Sequence, residues 1–328
     1  MIRIRLTAAD FARVRFASRP APLQELNTAL GMMVRHDEEL FFGRWRRRVL
    51  RCLPAAVEPL ADLVPAGRAP GFLDVTDDSL GEGLDTVRSW HPDRVRSEIE
   101  RVYAGHPAPP PPWIRGLHRG DAEAWRLLCR AQQAAFDTIV GPVWPVVQDL
   151  HHREFARRAV AVAEQGIGAV LAGLVPGGRL RGDVWEFAGP GGLEIEPGGR
   201  GVLLLPAFHW TGHPLISDLP SRPLVVTYPA GTGLPPAPAG PGGAEDALAA
   251  VLGRTRFEIL LLLAEEHTTG DLARRLRVSN ATVSAHTAAL RGAGLVTTAR
   301  AGRAVLHRRT ALSALLVQRR TGPASRAR

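Results

Sequence analysis

Residues 267–309, HTTGDLARRLRVSNATVSAHTAALRGAGLVTTARAGRAVLHRR, decide how this 328-residue chain reads. Thr268 can cap a helix whose third position is Asp271, a spacing that lets hydroxyl and carboxylate satisfy each other's free backbone amides. Leu272, Ala273 and Leu276 give that helix one apolar stripe. Arg277-Val278-Ser279 turns the chain, and Ser279 is a good N-cap for a second helix to about Arg291. Val283, Thr287 and Leu290 share one face of it at the i, i+4, i+7 spacing. Gly292 and Gly294 supply the backbone freedom that ends a helix. Leu295–Thr298 and Ala304–His307 then read as short strands around the basic tip Arg300-Ala301-Gly302-Arg303. The predicted order is helix, tight turn, helix, hairpin.

The second helix carries short polar residues and almost no acids where an ordinary surface helix would carry Glu, Lys or Arg. Small side chains let a backbone approach a phosphate-lined groove, and Ser, Thr and Asn can bond base edges or phosphates. Ser279, Asn280, Thr282, Ser284, Ala285 and His286 are the candidate groove contacts. Arg300 and Arg303 are the candidate phosphate contacts of the hairpin tip, with Arg308 beside them.

This stretch resembles the winged helix-turn-helix of the ArsR family of bacterial transcriptional regulators. The likeness is carried by Leu272-Ala273, Leu276, Val278-Ser279, Thr282-Val283-Ser284, His286, Leu290 and Ala293-Gly294-Leu295-Val296, within about residues 245–318. It implies a homodimeric repressor that binds a palindromic operator in double-stranded DNA, with the Ser279 helix in the major groove. Metal-sensing members hold soft metals through cysteines on the helix matching Thr269–Arg277, or through Asp, His and Glu on the last helix. Here the two cysteines, Cys52 and Cys129, lie far upstream, and the last helix, about Thr310–Gln318, has no His, Asp or Glu. No metal site and no cofactor is therefore expected.

The charge is unevenly placed. Every one of the 41 basic residues is Arg, and the net charge is +9. Residues 245–328 hold 14 Arg against 6 acids, so +8 of that excess lies on the segment suspected of binding DNA. No run of eighteen apolar residues occurs and the N-terminus has no apolar signal core, so the protein is expected in the cytoplasm and not at a membrane.

The expected organisation is an α+β N-terminal domain over 1–228, a Pro/Gly linker over 229–243, a winged helix-turn-helix over 244–318 and a basic tail over 319–328. The fold class is α+β, a helical N-terminal domain with a small antiparallel β-sheet region plus the winged helix. Ile2–Leu6 alternates like a strand and is followed by a helix containing Phe11, Val14 and Arg15. Helices are predicted at 23–33, 38–53 and 93–103, with two more from Asp121 to about Leu174 broken at Gly141-Pro142. Strands are predicted near 183–187, 193–196, 201–206 and 224–228, with hairpin-like turns at Gly189–Gly192 and Pro197–Gly201. The opening strand followed by T-x-x-D-x-x-R-x-R-F also resembles an uncharacterised region preceding ArsR-type domains in actinobacterial regulators, which implies no activity.

No nucleophile elbow, phosphate loop, zinc-spaced Cys/His set or dinucleotide fingerprint is present, so no catalytic residue is nominated and no enzyme is expected. Two other readings remain open for the N-terminal block. It can be an enzyme-like domain or receptor for an unknown small-molecule effector, for which His151, Glu194, Glu196, His209 and His213 are the polar candidates. It can equally be a dimerisation or recruitment module. The Arg44–Arg51 cluster around Trp45 reads first as a solvated helix face, and His151 and His152 point to different sides of a helix.

Overall fold

A computed structural model describes residues 1–35, 39–67, 69–231, 249, 251–301 and 304–317. The chain divides into two compact units, Met1–Ala237 and Pro238–Arg328. The class is α+β, with a winged helix-turn-helix in the second unit. Most of the predicted linker and the whole basic tail lie outside the described residues.

The first unit opens with β1 (Ile2–Arg5), α1 (Ala8–Phe11) and β2 (Val14–Phe16). Here the structure corrects the sequence reading, because the helix stops at Phe11 and Val14–Phe16 is a strand pairing in parallel with Val202–Leu204. Helices α2 (Pro22–Val34), α3 (Glu39–Cys52), α4 (Pro59–Asp62), α5 (Leu80–Arg88), α6 (Pro92–Tyr103), α7 (Pro112–Arg119), α8 (Ala122–Ile139) and α9 (Trp144–Ala172) follow. The break between the last two falls at Gly141–Val143, as the Gly-Pro pair predicts. Strands β3 (Arg179–Arg181), β4 (Val184–Phe187), β5 (Glu194–Ile195), β6 (Val202–Ala207), β7 (Leu215–Ser217) and β8 (Leu224–Pro229) complete the unit.

These strands form two four-stranded sheets, β3-β4-β1-β5 and β2-β6-β8-β7. Both are mixed where a small antiparallel region was expected: β1 runs parallel to β5, and β2, β6 and β8 are mutually parallel. The turns at 189–192 and 197–201 are accordingly not hairpins. The first leads from β4 across β1 to β5, and the second carries the chain from one sheet to the other. The signal for a hairpin is local, whereas the intruding strand β1 comes from the other end of the unit.

One core lies among the helices, with Leu26, Met32, Phe42, Phe72, Ile114, Leu128 and Ile139 at its centre. It spans both sides of the 107–112 proline stretch. A second lies between the sheets around Ile4, Trp185, Phe187, Leu204, Val226 and Tyr228. Each fully buried large apolar side chain of this kind contributes roughly 1.5–3 kcal/mol through removal from water. Two buried carboxylates of this unit are well supplied with donors. The Glu25 carboxylate accepts from Phe208 N (3.0 Å) and His209 N (2.8 Å), and His209 Nδ1 lies 2.6 Å from it. Glu154 accepts from Arg157 Nη2 (2.7 Å), Arg158 Nε (2.8 Å) and the Tyr228 hydroxyl (3.2 Å). Burial and the Glu154 charge both push the Tyr228 phenol well above its ordinary range.

In the second unit, α10 (Arg254–Leu262) precedes β9 (His267–Thr268), α11 (Thr269–Leu276) and α12 (Asn280–Gly292). The hairpin β10 (Val296–Ala301) and β11 (Ala304–Arg309) and helix α13 (Ala311–Val317) follow. Ile259, Leu260, Leu263, Leu272, Val283, Leu290, Leu295 and Val296 make its core. The sequence reading missed β9, a two-residue strand that pairs with β11 to give the sheet order β10-β11-β9.

Candidate nucleic-acid interface

Helix α11 starts as its sequence dictates. Thr268 Oγ1 accepts from Asp271 N at 3.1 Å, and the Asp271 carboxylate takes the Thr268 backbone and hydroxyl protons in return. These bonds from Thr268 hold the Asp271 carboxyl below its usual range. The helix ends at Arg277, whose φ of 55° is left-handed and whose N–H bonds back into the last turn. A non-glycine residue there carries a strain of about 1–2 kcal/mol, and it reverses the chain within three residues. Ser279 then caps α12, its Oγ 3.0 Å from Thr282 N.

Val283, Thr287 and Leu290 are the buried face of α12, as their spacing predicts. Thr287 turns its hydroxyl back to Val283 O (2.9 Å), so its polar atom needs no outside partner. On the opposite side Ser279, Asn280, Ser284 and Ala285 are exposed, and Thr282 and His286 are half-buried. The six nominated groove residues therefore lie on the cap and on the non-core surface of one helix that carries no acid, four of them exposed and two half-buried. The Ser279 hydroxyl accepts the cap bond from Thr282 N and lies 2.8 Å from Thr282 Oγ1, so these two side chains present as a bonded pair.

Strands β10 and β11 are in antiparallel register from Val296↔Arg309 to Ala301↔Ala304. Arg300 is exposed on β10, and Arg308 is exposed on β11 with one nitrogen 3.9 Å from Glu266. Arg303 lies outside the described residues. The sequence reading overlooked His307. It is buried, with Nε2 2.9 Å from Thr269 Oγ1 and Nδ1 3.1 Å from Thr298 Oγ1. It thus ties the wing to the first turn of α11. The signal was a lone His among arginines, and nothing local says that it points inward.

The polar candidates of the first unit do not gather into one site, although His151 and His209 both lie near Glu25. Glu194 and Glu196 are exposed on the β1 side and pair with Arg3 (3.1 Å) and Arg5 (3.4 Å), while His209 is enclosed against Glu25 and the Trp45 ring. His213 offers its carbonyl to Trp210 Nε1. Buried His151 is pushed below its ordinary range by desolvation, opposed by the Glu25 and Glu154 charges. Among the described residues no group of three or more His, Cys, Asp or Glu is placed to hold a metal ion. No helix among them is long and apolar enough to cross a membrane.

Residues 253–298 match the family model described as bacterial regulatory protein, arsR family. The matched residues run from the start of α10 through both motif helices into the wing. No curated protein and no solved structure matches the chain.

Proposed function

We propose that this chain, whose second unit carries an ArsR-family helix-turn-helix, is a cytoplasmic, dimeric, sequence-specific transcriptional repressor. The observation that carries the proposal is the outward face of α12. A capped helix held by Val283, Thr287 and Leu290 turns Asn280, Thr282, Ser284, Ala285 and His286 to solvent, with the exposed Arg300 of the wing in the same unit. Such a face reads base edges from the major groove while wing arginines take backbone phosphates. The dimer sets the spacing of two half-sites on a palindromic operator. The block over 1–228 serves as effector or dimerisation domain, and we assign it no catalysis. Helix α11 (TGDLARRL) and helix α13 (ALSALLV) contain no Cys or His, and the one acid, Asp271, is used in the cap. The repressor on this reading does not sense metal.

The experiment is a salt titration of duplex binding by the full chain. Phosphate contacts release condensed counterions, so log affinity should fall linearly with log salt concentration. Arg300→Ala should make the slope shallower by about 1.8, one phosphate contact from each half of the dimer, and weaken operator and random DNA alike. An affinity that salt leaves unchanged, or an unaltered slope in Arg300→Ala, removes the wing from the interface.

A further inference from the structure

Two adjoining concavities in the first unit share Leu219 and Arg222 and form one cleft that DNA binding leaves unexplained. The wide end, about 240 Å³, is lined by Trp90, His91, Arg94 and Arg222. The narrow end, about 60 Å³, is lined by Arg15, Asp74, Thr76 and Ser217 over the outer face of the β2-β6-β8-β7 sheet. The register Arg15↔Leu203, Leu203↔Val225, Ser217↔Val225 lays its floor in one row across all four strands.

The rim between the two ends is built rather than loose. Leu219–Arg222 is a turn closed by Arg222 N to Leu219 O (3.2 Å), with Ser221 in the left-handed region at φ 64°. The Arg200 guanidinium clamps it from below, donating to Leu219 O (2.9 Å), Arg222 O (2.9 Å) and Asp218 (2.7 Å). A strained residue held by so many bonds fixes where the Arg222 side chain starts. That side chain, like those of Arg15 and Arg94, has no hydrogen bond or ion pair among the described residues. Arg15 stands out against its neighbours: Thr7 and Asp10 cap α1, Arg13 bonds Gly199 O (2.6 Å), and Phe16 meets the Tyr228 ring edge-on. Trp90 Nε1 is shielded from solvent without an acceptor.

We infer that this cleft binds a small hydroxylated phosphate monoester, its phosphoryl group between Arg94 and Arg222 and its hydroxyls toward Asp74, Thr76 and Ser217. Arginine forks match phosphate oxygens two at a time, and unpaired guanidinium groups around one cleft favour a dianion over a single carboxylate. The site begins at the N-terminus of α6, where the aligned backbone dipoles add positive potential although the first-turn amides are taken up by His91, and Asp93, 3.6 Å from His91, offsets it in part. Asp74 lies away from the wide end, where it accepts from ligand hydroxyls. The dimensions suit a pentose phosphate, near the small end of ligand cavities.

All seven tryptophans lie at or before Trp210, so tryptophan emission reports the first unit and is blind to phosphate binding by the arginines of the second. Ribose 5-phosphate titrated into the full chain, at ionic strength held constant with chloride, should give a saturable emission change. Arg94→Ala and Arg222→Ala should each weaken it at least tenfold, and Asp74→Ala should weaken it while leaving orthophosphate binding intact. Arg15→Ala, on strand β2 at the narrow end, should also weaken ribose 5-phosphate and is the second test should either of the other arginine variants fold poorly. No saturable change, or affinities unaltered in the arginine variants, overturns the site. Equal affinity for orthophosphate and ribose 5-phosphate overturns the assignment of the ligand's body to the Asp74 end.

Discussion

Gly201 sits where the chain enters β6 over the backbone of Arg13, at φ +80°. A methyl group there would stand 2.7 Å from Arg13 O, while the amide of Gly201 donates to buried Asp10 at 2.9 Å. Burial pushes the Asp10 carboxyl up, but the bonds from Thr7 and Gly201 outweigh it and hold the group below its ordinary value. Gly201→Ala should therefore destabilise the first unit by about 2 kcal/mol or more, through left-handed strain plus a backbone clash that cannot relax. Urea unfolding followed by tryptophan emission checks this, and a loss under about 0.5 kcal/mol would contradict the packing described. Asp74 is the opposite kind of carboxylate. Burial pushes it up to about 6, against the Ser217 hydrogen bond and with the Glu98 charge adding to the rise. The folded state then holds a proton that the unfolded chain gives up near pH 4, so stability declines as pH rises from about 4 through 6. Asp74→Asn should raise the melting temperature at pH 8, by at most about 3 kcal/mol of stability, and change little at pH 4.5. A gain of the same size at both pH values would mean that Asp74 is not a costly buried charge.

At the scale of elements, the wing depends on one side chain. His307 bridges Thr269 at the head of α11 and Thr298 on β10, and lies across the sheet from His267. Desolvation, with the charge of Arg291, pushes its pKa below the ordinary value. The native state thus favours the neutral ring, and the stability it supplies is present above about pH 6.5 and lost as pH falls below that value. Hydrogen exchange of the β10–β11 amides should show wild-type protection exceeding that of His307→Gln at pH 7.5, by roughly 1 kcal/mol. The gap should close toward pH 5, and a constant gap would assign His307 a packing role alone. The helix-turn-helix itself was legible because its instructions are local: Thr268 with Asp271, Ser279 before Thr282, and Val283, Thr287, Leu290 at one spacing. Strand β2 was not legible, because Val14–Phe16 continues an amphipathic pattern and becomes a strand only by pairing with Val202–Leu204 far along the chain. Strand β9 is two residues long and exists only as the partner of β11. The mixed sheets escaped for the same reason, since β1 is inserted between β4 and β5 by tertiary pairing that no turn residue announces.

For the whole molecule, charge and chemistry are divided between the two units. The second holds +8 of the net +9, packs its core from its own helices and hairpin, and matches the arsR family model over 253–298. The first is near neutral in total, yet it gathers unpaired arginines from β2, α6 and the loop before β8 into one cleft. Arg15, Arg94 and Arg222 are too far apart in sequence for any spacing to join them, which is why the linear reading looked instead to the histidines and to Glu194 and Glu196. The central claim is that α12 reads DNA sequence. Its most direct test is the ratio of operator to random-duplex affinity at one fixed salt concentration, with the operator first selected from genomic fragments by the wild-type chain. Thr282→Ala and Ser284→Ala should lower that ratio by about 1–3 kcal/mol where a base contact is lost, with random-duplex affinity nearly unchanged. Equal losses on both duplexes, or no loss on either, would contradict the claim.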